Sequence, residues 1–279
     1  MSDSRTARLY YRARIQRWLG NSERAGQLCR SALACGDHEE ARKLLAGLEL
    51  PGEDYFRVLE RMHRYLKPAT YVEIGIWKGK SLRLAEPPTL AIGIDPEPRL
   101  KAPPAANIRV FTEPSDEFFA RHDLVAEFSG KRLELALIDG MHHFEFALRD
   151  FINLERAATP RSVILIHDCR PLDAESAGRD RSTVFWSGDV WRLIVLLKKH
   201  RPDLLVHTIA TPPTGLGMVL NLDPASTVLA AKLDAVIAEG LALPYSALEG
   251  RKAEMLNLFP NDWTKIRALL DARGNAKRG

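Results

Sequence analysis

The stretch Ala69-Thr70-Tyr71-Val72-Glu73-Ile74-Gly75-Ile76-Trp77-Lys78-Gly79-Lys80-Ser81 decides how the chain is read. It reads as a short apolar strand that ends in an acid, turns through Gly75 and Gly79, and re-enters a helix at Lys80-Ser81. A turn of this kind sets free backbone N–H groups and a helix N-terminus at the carboxyl edge of a sheet. Open α/β folds bind small polar ligands there.

Three ligand classes use this device. A dinucleotide turn asks for G-x-G-x-x-G, and that spacing is absent. A phosphate loop asks for G-x-x-x-x-G-K-[ST], which the chain misses by one residue: Gly75 lies four before Gly79, and Ile74 fills the glycine slot. A methyl-donor site expects an acid at the strand end, where Glu73 stands. The stretch alone leaves these open.

Working outward, strands are expected at Tyr71–Ile74, Leu90–Ile94, Ile108–Phe111, Leu133–Ile138 and Ser162–Ile166. Helical segments separate them, one opened by Ser115-Asp116-Glu117 and one over Phe144–Arg156, which signals a parallel sheet. Residues 170–188 are polar and irregular, the length of a lid or binding loop. Asp189 is expected to cap a helix over Val190–His200. Leu204–Ala210 and Met218–Leu222, joined by Thr211-Pro212-Pro213-Thr214-Gly215, predict an antiparallel hairpin at a sheet edge.

Residues 1–66 carry no strand signal. Leu9, Ile15, Trp18 and Leu19 suit one helical face. Gln27–Ala34 and His38–Leu48 read as a helical hairpin similar to a single tetratricopeptide-type unit, expected as a cap or dimerising arm. Tyr55–Leu66 leads into the core, and the chain after Pro224 reads as helical, with a frayed basic end at Arg273–Gly279. The expected fold is α/β: a doubly wound, Rossmann-like, mostly parallel sheet with a C-terminal antiparallel hairpin, flanked by helical extensions. The boundaries are 1–66 for the N-terminal extension, 67–224 for the Rossmann-like domain and 225–279 for the C-terminal extension.

Composition narrows the function classes. With 279 residues, 46% hydrophobic and 27% charged, the chain can bury a full core. Forty basic and 36 acidic residues are interspersed, no nucleic-acid recognition motif accompanies them, and nucleic acid is not expected as a partner. Cys29, Cys35 and Cys169 form no metal-type pair and their odd number suits no disulfide framework, so a reducing, cytoplasmic setting is expected. No apolar run approaches the roughly 20 residues of a membrane span, and no membrane partner is expected.

The strand ends carry the chemistry. Glu73, Asp95, Asp139 and the pair His167-Asp168 close four of the five strands, where buried parallel strands should be apolar. Asp95 lies 22 residues after Glu73 at the end of the next strand, where a carboxylate accepts hydrogen bonds from ribose hydroxyls. Phosphates would be repelled by Glu73. A cationic ligand with a ribose, S-adenosyl-L-methionine, accounts for both acids. Asp139 as the acid of a nucleotide hydrolase is the rival.

With these residues in place, residues 68–222 resemble class I S-adenosylmethionine-dependent methyltransferases, within the branch of catechol-type and macrocin-type O-methyltransferases. Glu73-Ile74-Gly75-(x)3-Gly79-Lys80-Ser81 is similar to that branch's first motif. The resemblance implies Glu73 near the donor's amino group, Gly75, Trp77 and Gly79 in the donor turn, Ser81 on its carboxylate, Asp95 on its ribose, and Ser115 and Asp116 at its adenine. Ile138-Asp139-Gly140-Met141-His142-His143-Phe144-Glu145 resembles the fourth-strand signature. It implies Asp139, His167 and Asp168 as ligands of a divalent metal and His142 as general base, with Asp139 and His142 catalytic. Two departures matter: His167 stands where an acid is expected, and His142 where a lysine is. Imidazole nitrogen would move the metal preference from magnesium towards ions that favour nitrogen. The expected activity is methyl transfer to a small-molecule acceptor, at oxygen. A retired methyltransferase fold serving as a scaffold, with a homodimer through the N-terminal helices, is the alternative.

Overall fold

The computed structural model describes residues 2–274, with side chains from Ser4 onward; of the expected basic end, residues 275–279 lie outside the described residues. Four helices come first: α1 (Ser2–Trp18), α2 (Ser22–Leu33), α3 (Glu39–Glu49) and α4 (Tyr55–Leu66). The sheet then begins with β1 (Thr70–Ile74), β2 (Leu90–Ile94) and β3 (Ile108–Phe111), followed by short helices α5 (Ser115–Arg121) and α6 (Leu124–Glu127). β4 (Leu135–Ile138), α7 (Phe144–Ala157), β5 (Val163–Ile166) and α8 (Trp191–His200) continue the alternation. The hairpin β6 (Leu205–Ile209) and β7 (Leu216–Leu220) precedes α9 (Leu233–Ala242), α10 (Lys252–Met255), β8 (Leu258–Phe259) and α11 (Trp263–Ala272).

The sheet order is β3-β2-β1-β4-β5-β7-β6-β8, with β1 to β5 parallel and β7 antiparallel to both neighbours. Val72, Ile92, Ala136 and Ile164 face one core, shared with α5 to α9, while Tyr71, Ala91, Leu135 and Val163 face the other, shared with α4 and α11. Burial on both faces explains why these strands read as unbroken apolar runs rather than alternating ones.

Three local expectations are corrected. No α-helix follows the β1 turn; a single 3-10 turn, Leu82–Leu84, takes its place. Pro87-Pro88 arrives too soon after Ser81 for a longer helix, because proline and its predecessor both leave helical geometry. The hairpin does not form the sheet edge, since β8 pairs parallel with β6 outside it. A two-residue strand has no periodicity to read. Finally, the Asp189 carboxylate accepts the Phe144 N–H at 2.7 Å, so it serves the start of α7 rather than capping α8.

The N-terminal helices pack onto the loop at 170–188. Ala13, Leu28, Cys29, Leu45 and Ala46 share a small core with Leu172 and Phe185 of that loop. Arg42 on α3 is almost wholly buried and reaches Asp37, Asp173 and Glu175, and Arg170 pairs with Glu49 at 2.7 Å.

Candidate active site

The strand register builds the site. Ile74 pairs with Ile94 and Ile138, and Ile138 with Ile166, so four strands end on one line. The residues just beyond are Gly75, Asp95, Asp139 and His167. Backbone N–H donation continues across them, from Gly75 to the Ile94 carbonyl, Asp139 to Ile74 and His167 to Ile138. Gly75 has φ +83°, and a Cβ there would lie 2.3 Å from the Asp139 carbonyl oxygen, so only glycine fits between these strand ends.

A cavity of about 780 Å³ opens on this row, within the ordinary range for small-molecule sites. Gly75, Trp77, Asp95, Ser115, Asp116 and Asp150 line one part. Met141, His142, Arg181, Trp186, Thr214 and, from α3, Glu39 and Lys43 line another. Trp77, Met141, His142 and Asp168 are four of the eight non-glycine residues with positive φ among the described residues. Such backbone concentrates where a site, rather than packing, sets the geometry.

At the centre, His142 Nδ1 lies 2.8 Å from Asp168 Oδ2, and His167 Nδ1 lies 3.0 Å from Asp139 Oδ1 and 3.2 Å from Asp168 Oδ2. The Tyr55 ring sits 4.0 Å from the His167 ring, and Thr214 donates to Asp168 Oδ1 at 2.6 Å. Burial works against charge on His167, but Asp168 and Asp139 outweigh it and hold its pKa well above the ordinary value. The same contest raises His142, with Asp168 its main charged neighbour. Asp168 is buried too, yet the two imidazoles hold it below the usual carboxylate range.

Asp139, His142 and Asp168 present ligand atoms within 4.8 Å of one another. This set takes in His142 where the sequence pattern implied His167. His142 Nδ1, both His167 ring nitrogens and Asp168 Oδ2 are buried without an aligned hydrogen bond, although opposite charges stand about 3 Å apart. The mixed nitrogen and oxygen set of Asp139, His142 and Asp168 suits a transition-type ion, which would take the place of these ion pairs.

The methyltransferase-domain family model matches residues 72–169, from β1 through the end of β5. The matched span contains Glu73, Asp95, Asp139, His142, His167 and Asp168, and the sheet around it has the order described above. Over residues 72–169 the chain is similar to a methyltransferase domain. No curated protein matches the chain. Similar solved structures include the O-methyltransferase TomG of Streptomyces achromogenes in complex with S-adenosylmethionine, at 16% identity, TM-score 0.46, and coverage of 60% of this chain and 79% of that one. Another is an O-methyltransferase from Bacillus cereus in complex with S-adenosylhomocysteine, at 13% identity, TM-score 0.42, and coverage of 63% and 86%. A Klebsiella pneumoniae protein described as an O-methyltransferase has 14% identity, TM-score 0.44 and coverage of 65% and 87%.

Within the matched span, the residues named from sequence divide. Gly75, Trp77, Asp95, Ser115, Asp116, Asp139, His142, His167 and Asp168 line the cavity. Glu73, Gly79 and Ser81 are not part of its lining. Glu73 is fully buried, and its two oxygens accept from Tyr71 Oη at 2.7 Å and Ser81 Oγ at 2.6 Å. Burial pushes it up to about 8, with the Tyr71 and Ser81 bonds opposing and the charges of Asp139 and Asp95 adding. Asp95 is engaged through both oxygens. Its Oδ2 accepts the Ile76 and Trp77 N–H groups at 2.9 Å each, and its Oδ1 accepts that of Glu97 at 2.8 Å. A carboxylate offers about four acceptor sites, so one remains for a ligand. The Lys80 ammonium lies 3.9 Å from the Phe56 ring centroid, and Ser81 serves Glu73, so the near-miss phosphate loop forms no phosphate cradle.

Sequence reasoning passed over Asp150, Thr214, Tyr55, Glu39 and Lys43. Asp150 was legible as an acid among the apolar positions of α7; it is buried, hydrogen-bonded by Ser115 and raised to about 7, chiefly by burial. The others come from segments far along the chain and left no signal. Of the loop arginines, Arg179 is taken by Glu145 and Asp189 and Arg170 by Glu49, which leaves Arg181 facing the cavity beside Trp186.

Proposed function

We propose that the chain transfers the methyl group of S-adenosyl-L-methionine to an oxygen of a small-molecule acceptor. The in-register row Gly75, Asp95, Asp139 and His167, open to a single cavity, carries this reading. Asp95, Asp116, Asp139, Asp150 and Asp168 line that cavity, an acidic set suited to a sulfonium cation. Gly75 and Trp77 would meet the donor's backbone, Asp95 its ribose, and Ser115 and Asp116 its adenine end. Glu73 and Ser81 act from behind, bracing the turn.

The acceptor then occupies the part walled by His142, Val184, Phe185 and Trp186, with Lys43 and Arg181 at its margin. His142 stacks on Trp186 with ring centroids 5.1 Å apart and planes 5° apart. Asp168 holds Nδ1, leaving Nε2 to take the acceptor's hydroxyl proton. The acceptor oxygen attacks the sulfonium methyl in line; the C–O bond forms as the S–CH₃ bond breaks, and S-adenosylhomocysteine leaves. Pre-set positions supply much of the rate. Asp139, His142 and Asp168, with His167 beside them, would hold a divalent ion, and such an ion would lower the pKa of the acceptor hydroxyl.

Calorimetry with S-adenosyl-L-methionine tests the donor half, with one site per chain expected; absence of binding overturns the reading. Chelator treatment of an active preparation tests the metal. Loss of activity, restored by a transition ion, assigns the cluster to metal, and undiminished activity leaves His142 as the base.

A further inference from the structure

The periodicity of α1 predicts that Leu9, Ile15, Trp18 and Leu19 pack together. The structure separates them. α1 packs on α2 and α3 through Thr6, Leu9 and Ala13, and turns its other side outward. On that side Tyr11, Ile15, Trp18 and Leu19 are 60, 55, 84 and 54% exposed, at the i, i+4, i+7, i+8 spacing of one helical face. They are four of the ten large apolar side chains with such exposure among the described residues, and here they are contiguous. Scattered apolar residues on a surface need no explanation, whereas a patch does.

The same segment is strongly basic. Arg5, Arg8, Arg12, Arg14 and Arg17 are all exposed, and no acidic residue occurs between Ser4 and Ser22. At 3.6 residues per turn, Arg8 and Arg12 flank the apolar strip on one side and Arg14 on the other. Among the described residues none of the five arginines forms an ion pair.

The occupant of this face must take up apolar side chains and neutralise cations together. A second copy docked face to face would set five arginines against five. A nucleic acid would satisfy the arginines and leave Ile15, Trp18 and Leu19 in water. An anionic lipid surface does both: aromatic and aliphatic side chains enter the headgroup boundary while arginines reach lipid phosphates. We propose that α1 is an interfacial helix that docks the protein on anionic lipid. It lies on the surface and does not span, as no helix among the described residues is long and apolar enough to cross a membrane.

The test is cosedimentation of the whole chain with phosphatidylcholine vesicles, with and without phosphatidylserine. Binding is expected only to the phosphatidylserine vesicles, weakening with salt. It should fall about tenfold or more in Ile15→Ser/Trp18→Ser and in Arg8→Gln/Arg12→Gln/Arg14→Gln. These positions are exposed, so both variants should keep the wild-type thermal transition. Equal binding to both vesicle types, binding to neither, or binding unchanged in the variants overturns the proposal. Two further outcomes also overturn it: a dimer in sedimentation velocity abolished by Ile15→Ser/Trp18→Ser, or tighter binding to duplex DNA than to vesicles.

Discussion

Asp168 stands between two imidazoles, with His142 Nδ1 at 2.8 Å and His167 Nδ1 at 3.2 Å. If His142 accepts the acceptor's proton, His142→Gln keeps a polar group of similar reach and removes the base. Turnover should fall by about 10²–10⁴ while donor affinity stays unchanged, read by kinetics and calorimetry on one preparation. Glu73 makes a different prediction, about stability. Its pKa is raised from 4.5 to about 8 in the folded chain, so folding holds its proton more tightly than the unfolded state does. Stability is therefore complete below about pH 4.5 and declines as pH rises towards 8, by an amount on the order of 5 kcal/mol at most. Glu73→Gln should melt above the wild type at pH 9 and lose that advantage at pH 5; parallel curves at both would refute the assignment. Gly75→Ala should cost roughly 2–5 kcal/mol in denaturant unfolding, since its φ of +83° and the carbonyl 2.3 Å from a Cβ act together.

Among the elements, the β1 turn shows how a ligand site is made without the helix its sequence announced. Pro87-Pro88 shortens the segment to one 3-10 turn, and Asp95 gathers the N–H groups of Ile76, Trp77 and Glu97 in the helix's stead. The acid that would meet the donor thus first holds the turn. α3 contributes in a similar indirect way. Its Arg42 ties Asp37, Asp173 and Glu175, joining the N-terminal helices to the loop at 170–188, while Glu39 and Lys43 on the same helix line the cavity. Arg42→Ala would leave three carboxylates facing one another. Because those acids are partly exposed, the expected loss is about 2 kcal/mol rather than the roughly 3–5 of a fully buried pair. Proteolysis within 170–188 should quicken and the acceptor KM should rise, with donor affinity unmoved; a uniform effect on both substrates would show that α3 does not belong to the acceptor side.

For the whole molecule, the C-terminal segment belongs to the sheet as well as to the surface: β8 covers the edge of β6, and Ile266 and Leu270 of α11 are buried in the core shared with α4. Ending the chain at residue 256 should abolish cooperative unfolding and promote association through the bared edge, visible by calorimetry and light scattering. Much of the molecule was legible in one dimension. Apolar runs of four to six residues, four of the five closed by an acid or a His-Asp pair, pointed to a parallel sheet and named the rim residues Gly75, Asp95, Asp139 and His167, because strand period and strand polarity are local properties. The register that sets those four side by side was not local, nor were Thr214 on Asp168, Tyr55 on His167 and Glu39 and Lys43 at the cavity, which reach the site from distant segments. Nor could the pattern say which face of α1 is covered. Ile15, Trp18 and Leu19 repeat as core residues do, and only the packing of Thr6, Leu9 and Ala13 on α2 and α3 turns them to solvent. Sequence by itself determined the sheet and its acidic rim. Tertiary structure decided that Glu73 is buried on Tyr71 and Ser81, that His142 stands within ligand reach of Asp139 and Asp168, and that α3 borders the cavity, since a side chain's partners depend on contacts that separation along the chain does not encode.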